Sequence, residues 1–182
     1  MDANSGPCRI VVKKITYEIN SNGIIRYNVP KGDASFIQPV LPEHFYVQSV
    51  QSYDYKDDII FIFEITDDEA GSTIILMCNP SSSTLYWTVE LGTFNPSPPL
   101  VEADSIYIGA IGTIVKLDLK TGLIIWKHSG FYERETSAFN SFLKPIKRNN
   151  IIVFQDNKLS FAKYRGVREI WVNDESGKII RK

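Results

Sequence analysis

The sequence is built from short runs rich in Ile, Val, Tyr and Phe, each bounded by Gly, Pro, Asn, Asp or Ser. The clearest runs are CRIVVKKITYEI, GIIRYNV, DDIIFIFEI, STIILMC, TLYWTVEL, DSIYIGA, TIVKLDL, LIIWKH, NNIIVFQ, KLSFAKY and REIWVN. Evenly spaced runs of β-branched and aromatic residues, with turn residues between them, predict an all-β protein. Helical periodicity is scarce, and the best helical candidate is RETSAFNSFLK, residues 134–144.

A polar turn followed by a strand recurs along the chain. The stretch LDLKTGLIIW (117–126) aligns with MCNPSSSTLYW (77–87) at a shift of 39 residues, and VNDESGKIIR (172–181) matches it again. In these turns the Asp or Asn accepts backbone N–H bonds, the Gly supplies a positive φ, and the Trp covers the edge between neighbouring units. The residues that we assign to this structural repeat are Asp118, Thr121, Gly122 and Trp126, then Asn79 and Trp87, then Gly177.

A fourth copy of the turn is expected near the N-terminus. INSNGIIRY (19–27) fits with one residue fewer in the turn, and Tyr27 takes the tryptophan place. We expect this copy to lack its inner strands.

The segments upstream of the turns repeat as well. DSIYI (104–108), DDIIF (57–61) and NNIIV (149–153) each open an apolar strand with a polar pair, and they lie 47 and 45 residues apart. A period of this length with about four strands per unit is typical of propeller blades. We therefore expect one domain over residues 1–182, an all-β, short or incomplete β-propeller-like array of about four repeats. A twisted β-sandwich is the alternative.

The stretch from Asp118 to Gly122, followed by Trp126, resembles the D-x-x-T-G-x-x-x-W signature of quinoprotein-type (PQQ-like) β-propeller repeats. Residues 94–128 resemble one whole repeat of that family, and the other copies match in part. The resemblance implies first a quinone-dependent dehydrogenase, which holds its cofactor in a large closed propeller. This chain lacks the length and the vicinal cysteines of those enzymes, so we interpret the motif as blade structure and predict no cofactor.

Residues for other chemistry are isolated in the sequence. His44, His128, Cys8 and Cys78 have no metal-ligand spacing, so no metal is predicted. No G-x-S-x-G elbow and no phosphate loop is present, and no catalytic residue is predicted. Without an apolar run of membrane-spanning length or a signal peptide, we expect no membrane partner and a cytoplasmic location.

Charge divides along the chain. Residues 1–105 contain 6 Lys and Arg against 14 Asp and Glu, whereas residues 106–182 contain 14 against 7. The acids cluster in two loops, and we predict that these loops bind a partner through Asp54, Asp57, Asp58, Asp67, Asp68 and Glu69. The alternative for these acids is a solvated edge of a blade.

The chain is expected to be a non-catalytic module that binds another protein. Its size, its acidic face and its lack of a catalytic set resemble bacterial immunity proteins, which neutralise a partner toxin, often a basic nuclease. One alternative is a β protein that binds or acts on carbohydrate through paired carboxylates. Another is nucleic-acid binding through the basic segments 144–150 and 163–171, where Phe161, Tyr164 and Trp171 are interleaved.

Overall fold

The computed structural model describes residues 8–28, 34–67, 69–131, 141–157 and 168–181. These residues form sixteen strands in four antiparallel sheets, with no helix among them. In every sheet the four strands lie side by side in chain order. The predicted all-β fold, a β-propeller-like array of about four repeats, is confirmed. None of the described residues belongs to a helix long and apolar enough to cross a membrane.

Sheet 1 contains β1 (Cys8–Val12), β2 (Ile15–Ile19), β3 (Ile25–Asn28) and β4 (Ala34–Ile37). The run CRIVVKKITYEI forms two of these strands, because Lys13 and Lys14 have positive φ angles of 49° and 67°. Two consecutive residues with positive φ make the tight turn of a hairpin.

The N-terminal copy of the repeat lies at a different place in its sheet than the sequence predicts. The turn that follows Asn20 joins the second and third strands, whereas the other three copies join the third and fourth. The Asn20 side chain accepts N–H bonds from Asn22 (3.1 Å) and Ile24 (2.9 Å). This chemistry is local and works between any two antiparallel strands, so it does not identify the hairpin. The expected loss of inner strands is also wrong, since the sheet has four strands.

Sheet 2 contains β5 (Tyr46–Tyr55), β6 (Asp58–Thr66), β7 (Gly71–Asn79) and β8 (Thr84–Glu90). Its two central strands, β6 and β7, are buried on both faces. One of these faces packs against sheet 1. The core between the two sheets consists of Val12, Tyr17, Ile19, Ile25, Tyr27, Ile37, Ile59, Phe61, Phe63, Ile65, Ile74, Leu76 and Cys78.

Sheet 3 contains β9 (Leu100–Glu102), β10 (Ser105–Ala110), β11 (Thr113–Asp118) and β12 (Ile124–Ser129). Sheet 4 contains β13 (Ile146–Arg148), β14 (Ile151–Gln155), β15 (Glu169–Asn173) and β16 (Ile179–Arg181). Their shared core consists of Tyr107, Ile114, Trp126, Phe131, Phe142, Ile152, Phe154, Ile170 and Val172.

The chain divides into two compact units, residues 1–92 with sheets 1 and 2 and residues 93–182 with sheets 3 and 4. The single domain expected over residues 1–182 stays a prediction. Most of the helical candidate 134–144 and the run KLSFAKY lie outside the described residues. At the described end of that candidate, Phe142 forms an antiparallel bridge with Asp156.

The repeated turns have the predicted hydrogen bonds in the structure. In one of them, Asp118 Oδ1 accepts the backbone N–H of Thr121 (2.8 Å) and of Lys120 (3.1 Å), and the Thr121 hydroxyl (2.7 Å). These donors, the Thr121 hydroxyl first, hold the pKa of Asp118 below its usual range. Asn79 and Asn173 accept the equivalent N–H groups, from Ser82 at 3.1 Å and Ser176 at 2.9 Å.

Sheets 3 and 4 are joined through Asp174, a buried carboxylate directly after β15. The carboxylate accepts hydrogen bonds from the Tyr107 hydroxyl (2.5 Å) and from Lys116 Nζ (2.7 Å), and it lies 3.1 Å from Lys147 Nζ. Its backbone carbonyl accepts from Lys116 Nζ (2.9 Å) and Trp126 Nε1 (3.3 Å). Burial raises the pKa of Asp174, but hydrogen bonds from the two lysines and the tyrosine outweigh it and hold the pKa below its usual range. We call these five residues the Asp174 junction.

Trp126 also lies against Gly177 in the turn of sheet 4. A Cβ atom added to Gly177 would stand 2.7 Å from the Trp126 ring, and the φ of Gly177 is +69°. The position therefore requires glycine for two reasons, its backbone conformation and the close approach of the ring.

Two buried tyrosines differ in how their hydroxyl groups are satisfied. Tyr107 donates to Asp174, whereas the buried Tyr17 hydroxyl has no hydrogen-bond partner among the described residues. Removing a hydroxyl that has a charged partner leaves that partner unsatisfied, but removing an unpaired hydroxyl relieves a desolvation cost.

We predict that Tyr107→Phe lowers the free energy of unfolding by about 1–3 kcal/mol. Tyr17→Phe is expected to leave it unchanged or raise it. Urea denaturation of both variants beside the wild type measures the difference, and a larger loss for Tyr17→Phe would contradict the assignment.

Candidate functional site

The first predicted acidic loop is the tight turn between β5 and β6. Asp54 and Asp57 are exposed there, and Asp58 is half-buried. The Asp58 carboxylate accepts hydrogen bonds from Asn79 Nδ2 (2.8 Å) and from the Tyr86 hydroxyl (3.2 Å). Asp58 therefore links this turn to the neighbouring turn of sheet 2, while Asp54 and Asp57 project from it.

A lysine of sheet 1 holds the same turn from the other side. Lys13 Nζ donates to the backbone carbonyl of Lys56 and lies 3.5 Å from the carbonyl of Asp58. Lys56 has a positive φ of 54°, and its ammonium lies 5.1 Å from the centre of the Tyr55 ring. The backbone of the turn is thus fixed by contacts from two sheets.

The second acidic loop closes the hairpin between β6 and β7. Asp67 Oδ1 accepts the backbone N–H groups of Ala70 (2.5 Å) and Glu69 (2.8 Å). These two bonds, that of Ala70 first, hold the pKa of Asp67 below its usual range. Glu69 is exposed, and Asp68 lies outside the described residues. Asp67 is therefore a turn-forming carboxylate.

The two acidic loops lie at opposite ends of β6. This strand has nine residues, which at about 3.3 Å per residue separates its ends by about 26 Å. The structure therefore does not bring the six predicted acids together. Asp54, Asp57 and Asp58 share one end of sheet 2, and Asp67 and Glu69 share the other.

Two tyrosines accompany the first acidic turn and were not among the predicted site residues. Tyr55 pairs with Asp58 across the hairpin, and Tyr86 is 49% exposed beside the Asp58 carboxylate. Tyrosine is enriched at protein interfaces, since its ring is apolar and its hydroxyl forms hydrogen bonds. In the sequence, the motif YDY at residues 53–55 places Tyr55 directly beside Asp54, and this could have indicated Tyr55 as a site residue.

The histidines and cysteines have separate surroundings. His128 Nε2 lies 2.7 Å from the Gly177 carbonyl, and exposed His44 lies 3.8 Å from Glu43. Cys8 is exposed, whereas burial raises the pKa of the Cys78 thiol to about 12. Over the described ranges, no group of three or more His, Cys, Asp or Glu side chains is placed to hold a metal ion.

Of the three aromatic residues interleaved with the basic segments, the structure describes Trp171, whereas Phe161 and Tyr164 lie outside the described residues. The guanidinium groups of Arg181 and Arg148 lie 5.3 Å and 5.8 Å from the centre of the Trp171 ring. Trp171 Nε1 donates to Glu169 Oε2 at 2.9 Å. These contacts engage the ring within sheet 4.

Comparison with known proteins shows the fold. No protein-family profile and no curated protein matches the chain. The structure is similar to that of BamB from Moraxella catarrhalis, with a TM-score of 0.53 and 13% identity over 93% of this chain and 50% of BamB. It is also similar to the computationally designed Ika4 protein, with a TM-score of 0.53 and 14% identity over 95% of this chain and 93% of Ika4.

A third similar structure is the quinohemoprotein alcohol dehydrogenase from Comamonas testosteroni. Its TM-score is 0.51 and its identity 12%, over 96% of this chain and 34% of the dehydrogenase. The chain thus spans half the length of BamB and about a third of the dehydrogenase. BamB and the dehydrogenase are β-propeller proteins with PQQ-type repeats, so the predicted propeller-like repeat is supported at the level of fold.

The acids of the first turn are expected to differ in their effect on stability. Asp58→Ala removes the acceptor of two side-chain hydrogen bonds and is predicted to lower the free energy of unfolding by about 1–2 kcal/mol. Asp57→Ala, one residue earlier and exposed, is the matched control and is expected to leave stability unchanged. Thermal and urea unfolding measure both variants. Equal losses would show that Asp58 does not link the two turns.

Proposed function

We propose that the protein is a non-catalytic protein-binding module that contacts its partner through the turn at residues 54–58. The observation that carries this proposal is the exposure of Asp54 and Asp57 on a backbone held by Lys13 and Asp58. A fixed turn loses little conformational entropy on binding, so ordering it subtracts little from the binding free energy. The two exposed carboxylates attract a basic surface and accelerate its association.

The tyrosines beside the turn support the same proposal. Tyr86 presents an exposed ring next to Asp58, and Tyr55 lies across the hairpin from it. Aromatic rings supply contact area at a protein interface, while the carboxylates select the charge of the partner. The second acidic loop, with Asp67 and Glu69, lies at the far end of β6 and is not part of the proposed contact.

The repeats are inferred to be of the quinoprotein type and to serve as a scaffold. Asp118 and Thr121 form hydrogen bonds within their own turn, and Trp126 donates a hydrogen bond in the Asp174 junction. Each of these motif residues thus has a structural partner, which supports a role in blade structure and not in cofactor binding.

The partner class follows from charge and size. We infer a basic protein, in the manner of bacterial immunity proteins that neutralise a toxin domain. Such an inhibitor would be found in the bacterial cytoplasm, where its partner is made. The acidic character of residues 1–105 supports this inference.

The test is capture of the partner by tagged protein in the native host, with mass spectrometry of the bound fraction. Wild type is expected to retain a basic protein at one-to-one stoichiometry. Asp54→Lys combined with Asp57→Lys is predicted to weaken that binding about tenfold or more and to remove most of its salt dependence.

Glu69→Lys is the matched control, because it reverses an exposed acid at the other end of sheet 2. It is expected to bind as the wild type does. Equal binding by all three proteins would show that the turn is not the contact, and the absence of any stoichiometric partner would contradict the binding function.

A further inference from the structure

The outward face of sheet 1, opposite its core face, carries an ordered row of side chains. Arg9, Glu18, Arg26 and Phe36 are cross-strand neighbours in succession on β1, β2, β3 and β4. Phe36 is 64% exposed at one end of the row, so this face does not form part of a packed core. Phe36 thus presents an apolar ring to solvent beside charged neighbours.

A cavity of about 460 Å³ opens on this face. Small-ligand sites generally have volumes of roughly 300–1,000 Å³. The polar side chains around this cavity include hydroxyl, amide, carboxylate and guanidinium groups, and the aromatic wall is Phe36. The residues whose side chains contribute this chemistry on the outward face are Thr16, Glu18, Arg26, Asn28 and Phe36.

The charged row of this face, which consists of Arg9, Glu18 and Arg26, has a net charge of +1. Glu18 is paired with Arg9, whose Nη2 lies 2.8 Å from Glu18 Oε1, and Arg9 does not line the cavity. Arg26 has no ion pair or hydrogen bond to any residue in the described part of the chain. Glu18 stands opposite Arg26 across the two strands but is held by Arg9, so the described charges of the row sum to +1, which favours a ligand that carries a carboxylate.

The other side chains that line the cavity indicate which class of ligand would bind there. Thr16 and Asn28 offer both donors and acceptors, which suits a ligand with several hydroxyl groups. The exposed ring of Phe36 offers an apolar face against which a flat, partly apolar ring can stack. Sugar rings combine these two properties.

We propose that the outward face of sheet 1 binds a saccharide that carries a carboxylate group. Arg26 binds the carboxylate as a two-pronged donor, Phe36 stacks on the apolar face of the sugar ring, and Thr16, Asn28 and Glu18 bind its hydroxyl groups. The site lies on a different face from the 54–58 turn and does not depend on the protein-binding function.

The test uses a glucuronate-containing tetrasaccharide and its carboxyl-reduced neutral counterpart as probes, followed by NMR titration of the full chain. Wild type is expected to bind the acidic probe about tenfold more tightly than the neutral one. Arg26→Gln is predicted to abolish that difference, and Phe36→Ala is predicted to weaken binding of both probes. Both residues lie on an exposed surface, so both variants are expected to fold, as circular dichroism checks.

Phe94→Ala is the matched control, because Phe94 is another exposed phenylalanine, at 43%, outside the cavity. It is expected to leave both affinities unchanged. No binding of either probe up to its solubility limit overturns the proposal, as does equal binding of the two probes by wild type. Tighter binding of a short peptide with a free C-terminal carboxylate than of the acidic sugar would also overturn it.

Discussion

The second unit depends on one buried carboxylate. Asp174 accepts hydrogen bonds from Tyr107 and Lys116 of sheet 3, and it also lies against Lys147 of sheet 4. A buried lysine without a partner is costly, so the pairing makes the positions of the two sheets interdependent. Trp126 completes the junction by donating to the Asp174 carbonyl while its ring covers Gly177. An aromatic residue of one repeat thus lies on the turn of the next.

In the first unit, the side chains that meet between the two sheets make apolar contacts and a hydrogen bond between neutral groups. Tyr27 donates its hydroxyl to Ser83 Oγ at 3.0 Å, and its ring lies 5.2 Å from that of Tyr17. Apolar burial dominates this interface, and the Tyr17 hydroxyl remains unpaired within the described residues. The polar groups at the adjacent turns hold the backbone in place, which leaves Asp54 and Asp57 available to a partner.

Much of the fold follows from local sequence patterns, because strand periodicity and turn chemistry act over a few residues. The hydrogen bonds of Asp118 could be expected from Asp-x-x-Thr-Gly alone. The same locality explains the misplaced N-terminal copy, since the Asn20 turn has equivalent chemistry between different strands. The Asp174 junction could not be predicted, because Lys116 and Asp174 are 58 residues apart and neither stands in a motif that names the other.

The candidate site, like the fold, could be predicted from the sequence only in part. The two clusters of acids could be recognised in the sequence, but their sequence positions do not give the distance between them in space. In the structure, β6 separates the two clusters by its whole length. The length of the strand DDIIFIFEI could have suggested this separation. That Arg26 forms no ion pair within the described part of the chain could not be predicted from the sequence, because it follows from the pairing of Arg9 with Glu18 across two strands.

The most direct test of the account is a comparison of Gly177→Ala with Gly130→Ala. Both glycines have a positive φ, of 69° and 86°, but a Cβ at Gly130 would meet no atom within 4 Å. Gly130→Ala therefore isolates the backbone cost, about 1–2 kcal/mol, whereas Gly177→Ala also displaces Trp126. If an aromatic ring on the next turn holds the repeats together, urea unfolding should show Gly177→Ala to be less stable than Gly130→Ala by at least about 2 kcal/mol. Equal losses would contradict this account.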